Sequence, residues 1–401
     1  MIHQVVVERK EPWMENEAKK PLELYIHIPF CVKKCDYCDF LSGPAGKERQ
    51  REYFQALERE IAAVPDFSDR EITTVFIGGG TPSVPDPSLV GEMLDQIRNK
   101  FFVAPDAEIT IEANPGTLYK EKLQIYLEHG INRLSLGLQS PQNRELKILG
   151  RIHTWEEFQE SFFMARDAGF SNINIDLMSA IPEQTYADWE KNLRTVAGLS
   201  PEHISAYSLI IEEGTRFYQW YGKGQTDQEK YPPLPDEDAE RQMYERTEGI
   251  LEEYGFHRYE ISNYAREGKE CRHNLGYWSR VEYLGIGLGA SSFISNTRYH
   301  LCTDMISYIE RIGSGEDLRE EIEVLTKEDA MEEFMFLGLR MTQGISTAEF
   351  EEKFGKEIHA VYGGVLKKYE AMHLLQEHSG RLALTRDGIS VSNVILADFL
   401  L

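Results

Sequence analysis

Three of the chain's five cysteines, Cys31, Cys35 and Cys38, fall together in the segment HIPFCVKKCDYCDF. Thiolates are soft ligands, and three on one short loop can hold a metal centre. The spacing C-x3-C-x2-C suits two kinds of centre. One is a zinc ion held by three thiolates and His27 or a more distant ligand. The other is an iron–sulfur cluster with three corners on protein and a fourth open to a non-protein ligand. No second CxxC pair stands nearby, as most zinc ribbons would have. The remaining Cys271 and Cys302 leave an odd total, which argues against a secreted disulfide scaffold.

Other groups with chemical potential follow apolar runs. Gly78-Gly79-Gly80-Thr81-Pro82 comes after TTVFI, Glu112 ends EITIE, Gln139 ends RLSLGLQ, Arg151 lies in LGRIH, and Asp176 lies in NINIDLM. Glycines let a backbone approach a neighbour or ligand closely. Neither a Walker A loop nor a GxGxxG fingerprint is present. Each residue alone reads equally as a helix cap, an ion pair or a ligand. Their shared position after strands favours the ligand reading.

Those positions are supplied by alternating elements. Apolar segments at 24–29, 73–77, 108–113, 133–138, 172–178 and 203–211 read as strands. Helical periodicity fills the intervals between them, as in 47–64 and 185–197. Six strands interleaved with helices imply parallel β/α units. Functional-looking residues after every strand fit a partial (β/α)6 barrel better than a doubly wound sheet, which concentrates its site at one switch point.

The composition limits the class. Hydrophobic residues are 41%, so a packed core is expected. Lys plus Arg number 43 against 67 Asp plus Glu, a net charge of -24, so a dedicated nucleic-acid partner is not expected. No apolar stretch is long enough to span a bilayer and none reads as a secretory leader, so a cytoplasmic protein with no integral membrane segment is expected. The acid-rich stretch 316–333 reads as a solvated helix face. Beyond it, three helices, a short hairpin and a last helix over DGISVSNVILADFL suggest a winged-helix-like module. The expected divisions are an N-terminal segment 1–21, a barrel 22–235, an α+β extension 236–315 and a C-terminal domain 316–401.

The cysteine triplet directly after a first strand resembles the radical S-adenosylmethionine (SAM) superfamily. In that family the open iron of a [4Fe-4S] cluster is chelated by the amino and carboxylate groups of SAM. The cluster passes one electron to the sulfonium and a 5′-deoxyadenosyl radical is released. YIHIPFCVKKCDYC, FIGGGTPS, EANPGT, RLSLGLQS, NIDLM and ISAYSL extend the resemblance to the HemN-like branch, over residues 22 to 401 and including a HemN-type C-terminal domain. The resemblance implies that Cys31, Cys35 and Cys38 hold the cluster. It further implies that Tyr25, Tyr37, Gly79, Gly80, Thr81, Glu112, Gln139, Arg151, Asp176 and Ser208 line the SAM site. Where the family has an aromatic and a glycine after D-L-M, this chain has Ser179 and Ala180. Alanine has less φ freedom than glycine, so a shifted loop is expected there.

Two features choose the sub-branch. Oxygen-independent coproporphyrinogen III oxidases carry a further cysteine two residues after the third, where this chain has Phe40. Residues 273–278 read HNLGYW, similar to the HNxxYW motif of the HemW haem chaperones. The implied function is to bind haem and pass it to an acceptor protein, respiratory cytochromes among the candidates. The alternative is SAM-dependent oxidative decarboxylation of coproporphyrinogen III, or another radical SAM reaction on a tetrapyrrole. On its own chemistry CRHNLGYWSR is an acid-free, aromatic, cationic segment. His273, Asn274, Tyr277 and Trp278 are the candidate haem contacts, with Arg272 and Arg280 for propionates. The same residues also read as a helix cap and core.

Overall fold

The computed structural model describes residues 19–224 and 230–401. Nearly all of the expected N-terminal segment 1–21 and the centre of the expected loop at 222–240 lie outside them. Six parallel strands, β1 (Lys20–Ile28), β2 (Arg70–Gly79), β3 (Val103–Ala113), β4 (Arg133–Gln139), β5 (Ile173–Ser179) and β6 (His203–Ser208), stand side by side in chain order. Helices Lys47–Ala63, Pro87–Lys100, Lys120–Glu128, Trp155–Ala168 and Tyr186–Ala197 return the chain between them. Thr154 and Thr185 start the last two with capping boxes, which satisfy N–H groups that a helix start leaves free.

The sheet does not close on itself. Next to β6 come β7 (His257–Arg258) and β8 (Asn263–Ala265), antiparallel. Next to β1 comes β9 (Tyr283–Ile286), parallel to it. Outside that lie β10 (Ser291–Ile294), β11 (Thr297–Leu301) and β12 (Arg319–Val324). One sheet of 12 strands results, in the order β12-β11-β10-β9-β1-β2-β3-β4-β5-β6-β8-β7. The divisions drawn at 236 and 316 cross this continuous sheet.

The stretch 316–333 is not a single helix face. Its first half is strand β12, paired with β11, and the helix Lys327–Gly338 begins only after the Thr326 cap. Glu320, Glu321 and Glu323 lie on this edge strand, where charge also blunts edge-to-edge pairing. A second hydrophobic cluster, with Met335, Phe350, Tyr362, Leu382 and Phe399, forms the C-terminal module. There, helices Lys327–Gly338, Thr347–Phe354 and Ile358–Ala371 pack with β13 (Ile345–Ser346) and the hairpin β14 (Leu375–His378) and β15 (Arg381–Leu384). The expected last helix is two short ones, broken at Val391, whose φ of -121 lies outside the helical region.

Alternation along the strands divides the barrel's contents. Leu134, Leu136 and Leu138 of β4 and Ile173, Ile175 and Leu177 of β5 enter the main core under the helices. Their neighbours Arg133, Ser135, Gly137 and Gln139, and Asn174, Asp176 and Met178, line an internal cavity.

Candidate functional site

The cysteine loop rests on the end of β1. The N–H of Cys31 donates to the carbonyl of Gly43 (3.0 Å), and the N–H of Gly43 donates to Pro29. His27 ties the far side of the loop: its Nε2–H donates to the carbonyl of Leu41 (2.9 Å), and its Nδ1 accepts from Tyr25 Oη (3.1 Å). Because a carbonyl can only accept, the proton sits on Nε2. Both nitrogens are engaged, so His27 is a brace and not the fourth ligand of a zinc shell. Among the described residues, no three His, Cys, Asp or Glu side chains are grouped so as to hold one metal ion. The three thiols are free and half-buried, and burial raises the pKa of Cys38.

The glycine loop meets the cysteine loop at close range. Gly79 has φ +110, and a Cβ there would lie 2.6 Å from the His27 ring. A Cβ on Gly80 would lie 2.8 Å from the Phe30 carbonyl oxygen and 3.1 Å from Cys31 Sγ. These glycines are therefore demanded by contact between the two loops, quite apart from any ligand. Thr81 Oγ1 lies 3.4 Å from Cys31 Sγ and accepts from Asn114 Nδ2 (2.7 Å). Buried Lys122 holds the following turn through the carbonyls of Ser83 and Pro85.

The cavity has a volume of about 540 Å³. It gathers Cys31, Cys35 and Cys38 with Tyr37, Gly79, Gly80, Thr81, Glu112, Gln139, Arg151, Asp176 and Ser208. Arg151 donates to Asn114 Oδ1 (2.7 Å) and to the carbonyl of Gly137, and its Nη1 lies 3.6 Å from Cys35 Sγ. Gln139 Oε1 accepts from Tyr207 Oη (2.8 Å). Glu112 Oε2 accepts from the N–H of Gly79 (3.2 Å). Burial, reinforced by the nearby Asp176 carboxylate, pushes Glu112 up to about 8, so it is protonated at neutral pH. Burial also raises Asp176, although Asn174 Nδ2 donates to it (2.7 Å).

Tyr25 does not line the cavity; its ring stacks on Phe76 behind the wall. Asn114, Arg133, Asn174 and Tyr207 do line it and were missed by the sequence reading. The period of two along β4 and β5 carries the signal for two of them: counting back from Gln139 and Asp176 in steps of two reaches Arg133 and Asn174.

The HNxxYW segment lies mostly behind the cavity wall. It forms a short helix, Arg272–Trp278, and only Asn274 of the four candidates faces the cavity. His273 is 2% exposed, with Nδ1 2.6 Å from Thr74 Oγ1 and Nε2 3.0 Å from Tyr277 Oη. Both ring nitrogens are thus occupied. Burial lowers its pKa to about 3, so the ring is neutral. Tyr277 packs between His273 and Tyr283, and Arg340 stacks on Trp278 at 4.3 Å. Nor is the segment an open cationic patch, because Arg272 pairs with Asp106 (3.4 Å) and Arg280 with Glu333 (2.9 Å).

A half-open parallel barrel with three thiols above a glycine loop defines a radical SAM protein. Residues 25–196 match the model of the radical SAM superfamily and residues 325–391 that of the HemN C-terminal domain. The chain is 39% identical over 379 residues to a protein of Bacillus subtilis named heme chaperone HemW, covering 94% of this chain and 98% of that one. It is 35% identical to the Lactococcus lactis protein of the same name, covering 96% and 98%. The solved coproporphyrinogen III oxidase (HemN) of Escherichia coli shares the fold, with TM-score 0.82 at 23% identity, over 95% of this chain and 90% of that one. The chain belongs to the HemW family of the radical SAM superfamily.

Proposed function

We propose that the protein is a haem chaperone that binds haem, SAM and a [4Fe-4S] cluster and delivers haem to an acceptor protein. The observation that carries this reading is its near full-length similarity to proteins named heme chaperone HemW. Cys31, Cys35 and Cys38 hold the cluster: they are free, half-buried and face one cavity beside the Arg151 guanidinium. When bound and reduced, that cluster supplies one electron to the sulfonium of SAM. Glu112 receives the amino group or ribose of SAM, and a bound ammonium favours its ionised form. Tyr37, Gly79, Gly80, Thr81, Gln139, Arg151, Asp176 and Ser208 form the remaining wall. Within the HNxxYW segment Asn274 is the residue placed to meet a ligand, and His273, Tyr277 and Trp278 position it. Among the described residues no helix is long and apolar enough to cross a membrane.

The test uses protein reconstituted anaerobically. Iron and sulfide analysis is expected to give about four of each per chain. Haem-loaded protein mixed with an apo b-type cytochrome is expected to pass its haem across, followed by absorbance. With SAM, reductant and coproporphyrinogen III, no protoporphyrin is expected. More than one turnover of that porphyrinogen overturns the chaperone reading in favour of the oxidase.

A further inference from the structure

The cavity continues far below the cysteines. Arg133 is the first residue of β4 and Gln139 the last, so their Cα atoms stand about 20 Å apart along the strand. Both line the same cavity. Its lower part is polar, with Ser135, Asn174, Ser205, Asn263 and Asn274 around Arg133. A closed β/α barrel normally fills this volume with branched apolar side chains.

Arg133 is 2% exposed, yet its guanidinium makes no hydrogen bond or ion pair with any described residue, and its Nε is buried without a partner. The other buried arginine, Arg258, behaves differently: its Nε and Nη2 both donate to Tyr264 Oη (3.1 and 2.8 Å). A buried guanidinium with an unused donor is costly to keep, so a fold gains nothing in stability from it. The carboxylates of Glu108 and Asp176 act on Arg133 through space, but neither forms an ion pair with it. A second unused group lines the same cavity. Asn263 Nδ2 is committed to Glu260 Oε1 (2.7 Å), which leaves the buried Oδ1 as an acceptor with no donor.

A guanidinium presents a planar fork that matches a carboxylate bidentately. We infer that the barrel floor is a second binding site, in which Arg133 receives the carboxylate of a small organic acid and Asn263 Oδ1 accepts from a donor group on that molecule. Arg133 lines the same cavity as the glycine loop but from the opposite end of the strands, so this acid sits beneath whatever occupies the glycine-loop end. The inference stands on the cavity and its unpaired groups, whether or not haem is the cargo.

Propionate is a suitable probe. Equilibrium dialysis of the full chain with labelled propionate is to be run with and without saturating SAM. Retention of propionate in the presence of SAM is expected, because the two occupy different ends of the cavity. Displacement by SAM would assign the Arg133 carboxylate site to SAM itself and overturn the inference. Arg133→Gln is expected to weaken propionate at least tenfold while SAM affinity changes less than twofold. Arg133→Lys keeps the charge and loses the fork, and is expected to fall between the two, which preserves the test should the glutamine variant not fold. Equal propionate affinity in wild type and both variants overturns the site. Asn263→Ala is expected to leave propionate unaffected and to weaken lactate, whose hydroxyl can donate, at least threefold; equal loss of both acids removes Asn263 from the site.

Discussion

Ala180 holds φ +58, in the left-handed region that favours glycine, and is 5% exposed. The alanine after β5 adopts the left-handed conformation and bears the strain. Neighbouring bonds explain why. Leu209 donates to the carbonyl of Ser179 (2.9 Å) and Gln184 to that of Ile181 (2.9 Å), which over-determines the turn between them. Ala180→Gly is expected to raise stability by about 1 kcal/mol, because the Cβ clash with the carbonyl oxygen disappears. A urea melt at constant pH measures this, and a lower midpoint for the glycine variant would refute it. SAM affinity is expected to stay the same, since the loop already has the path a glycine would take.

Among the elements, the helix Arg272–Trp278 works as a clasp. Glu108 of β3 accepts from the N–H groups of Arg272 and His273 (both 3.3 Å), and Thr74 of β2 bonds the His273 ring. At the other end Arg280 and Arg298 share Glu333 of the C-terminal module (2.9 and 2.7 Å). Gly276 is required because a Cβ there would lie against the Glu23 carboxylate. His273→Ala is expected to cost about 2–4 kcal/mol, from a buried void and an orphaned Thr74 hydroxyl. Thermal unfolding gives that number, and a haem titration on the same sample separates the two roles. A variant with wild-type melting and no haem absorbance would return His273 to the part of iron ligand. The motif stood out in the sequence, but its direction did not, since residue types cannot say which face of a seven-residue helix meets the sheet.

Across the whole molecule, buried titratable groups oppose one another. Burial holds Glu23 at about 9, Glu60 at about 7 and Glu112 at about 8, so the folded state keeps protons that the unfolded chain releases near 4.5. Burial holds His153 and His273 at about 3 and His203 well below 6.5, so the unfolded chain takes up protons that the folded state refuses. Between about pH 5 and 6.5 the two sets nearly cancel. Above pH 7 the imidazoles are neutral in both states and the carboxyls act alone. The folded state then binds more protons, so stability falls as pH rises, by about 1.4 kcal/mol per unit for each carboxyl still protonated. Lys122, lowered to about 8 by burial, works weakly against this. The expected net loss is about 2 kcal/mol between pH 7 and 8. Unfolding midpoints at pH 6, 7 and 8 check the sign, and Glu112→Gln is expected to flatten the decline by about half. A midpoint that rises from pH 7 to 8 would contradict the assignment.

The order of strands and helices, the cysteine loop, the glycine loop and the residues at the strand ends were legible in the chain. Each is written in local spacing, in a period of two or 3.6 and in punctuation by glycine and proline. The residues that sequence reading missed or misdirected depend on contacts between segments far apart in the chain. His27 turns from the cysteines to Leu41, Thr74 claims His273, and Glu333 claims Arg280. Arg133 looks like an ordinary strand residue until six strands curve around it and withhold every partner. Local physics determined which elements form and where chemistry could stand. Tertiary packing decided which side chains are spent on holding the fold and which are left free for a ligand, because a hydrogen-bonding group is free only when no neighbour has already claimed it.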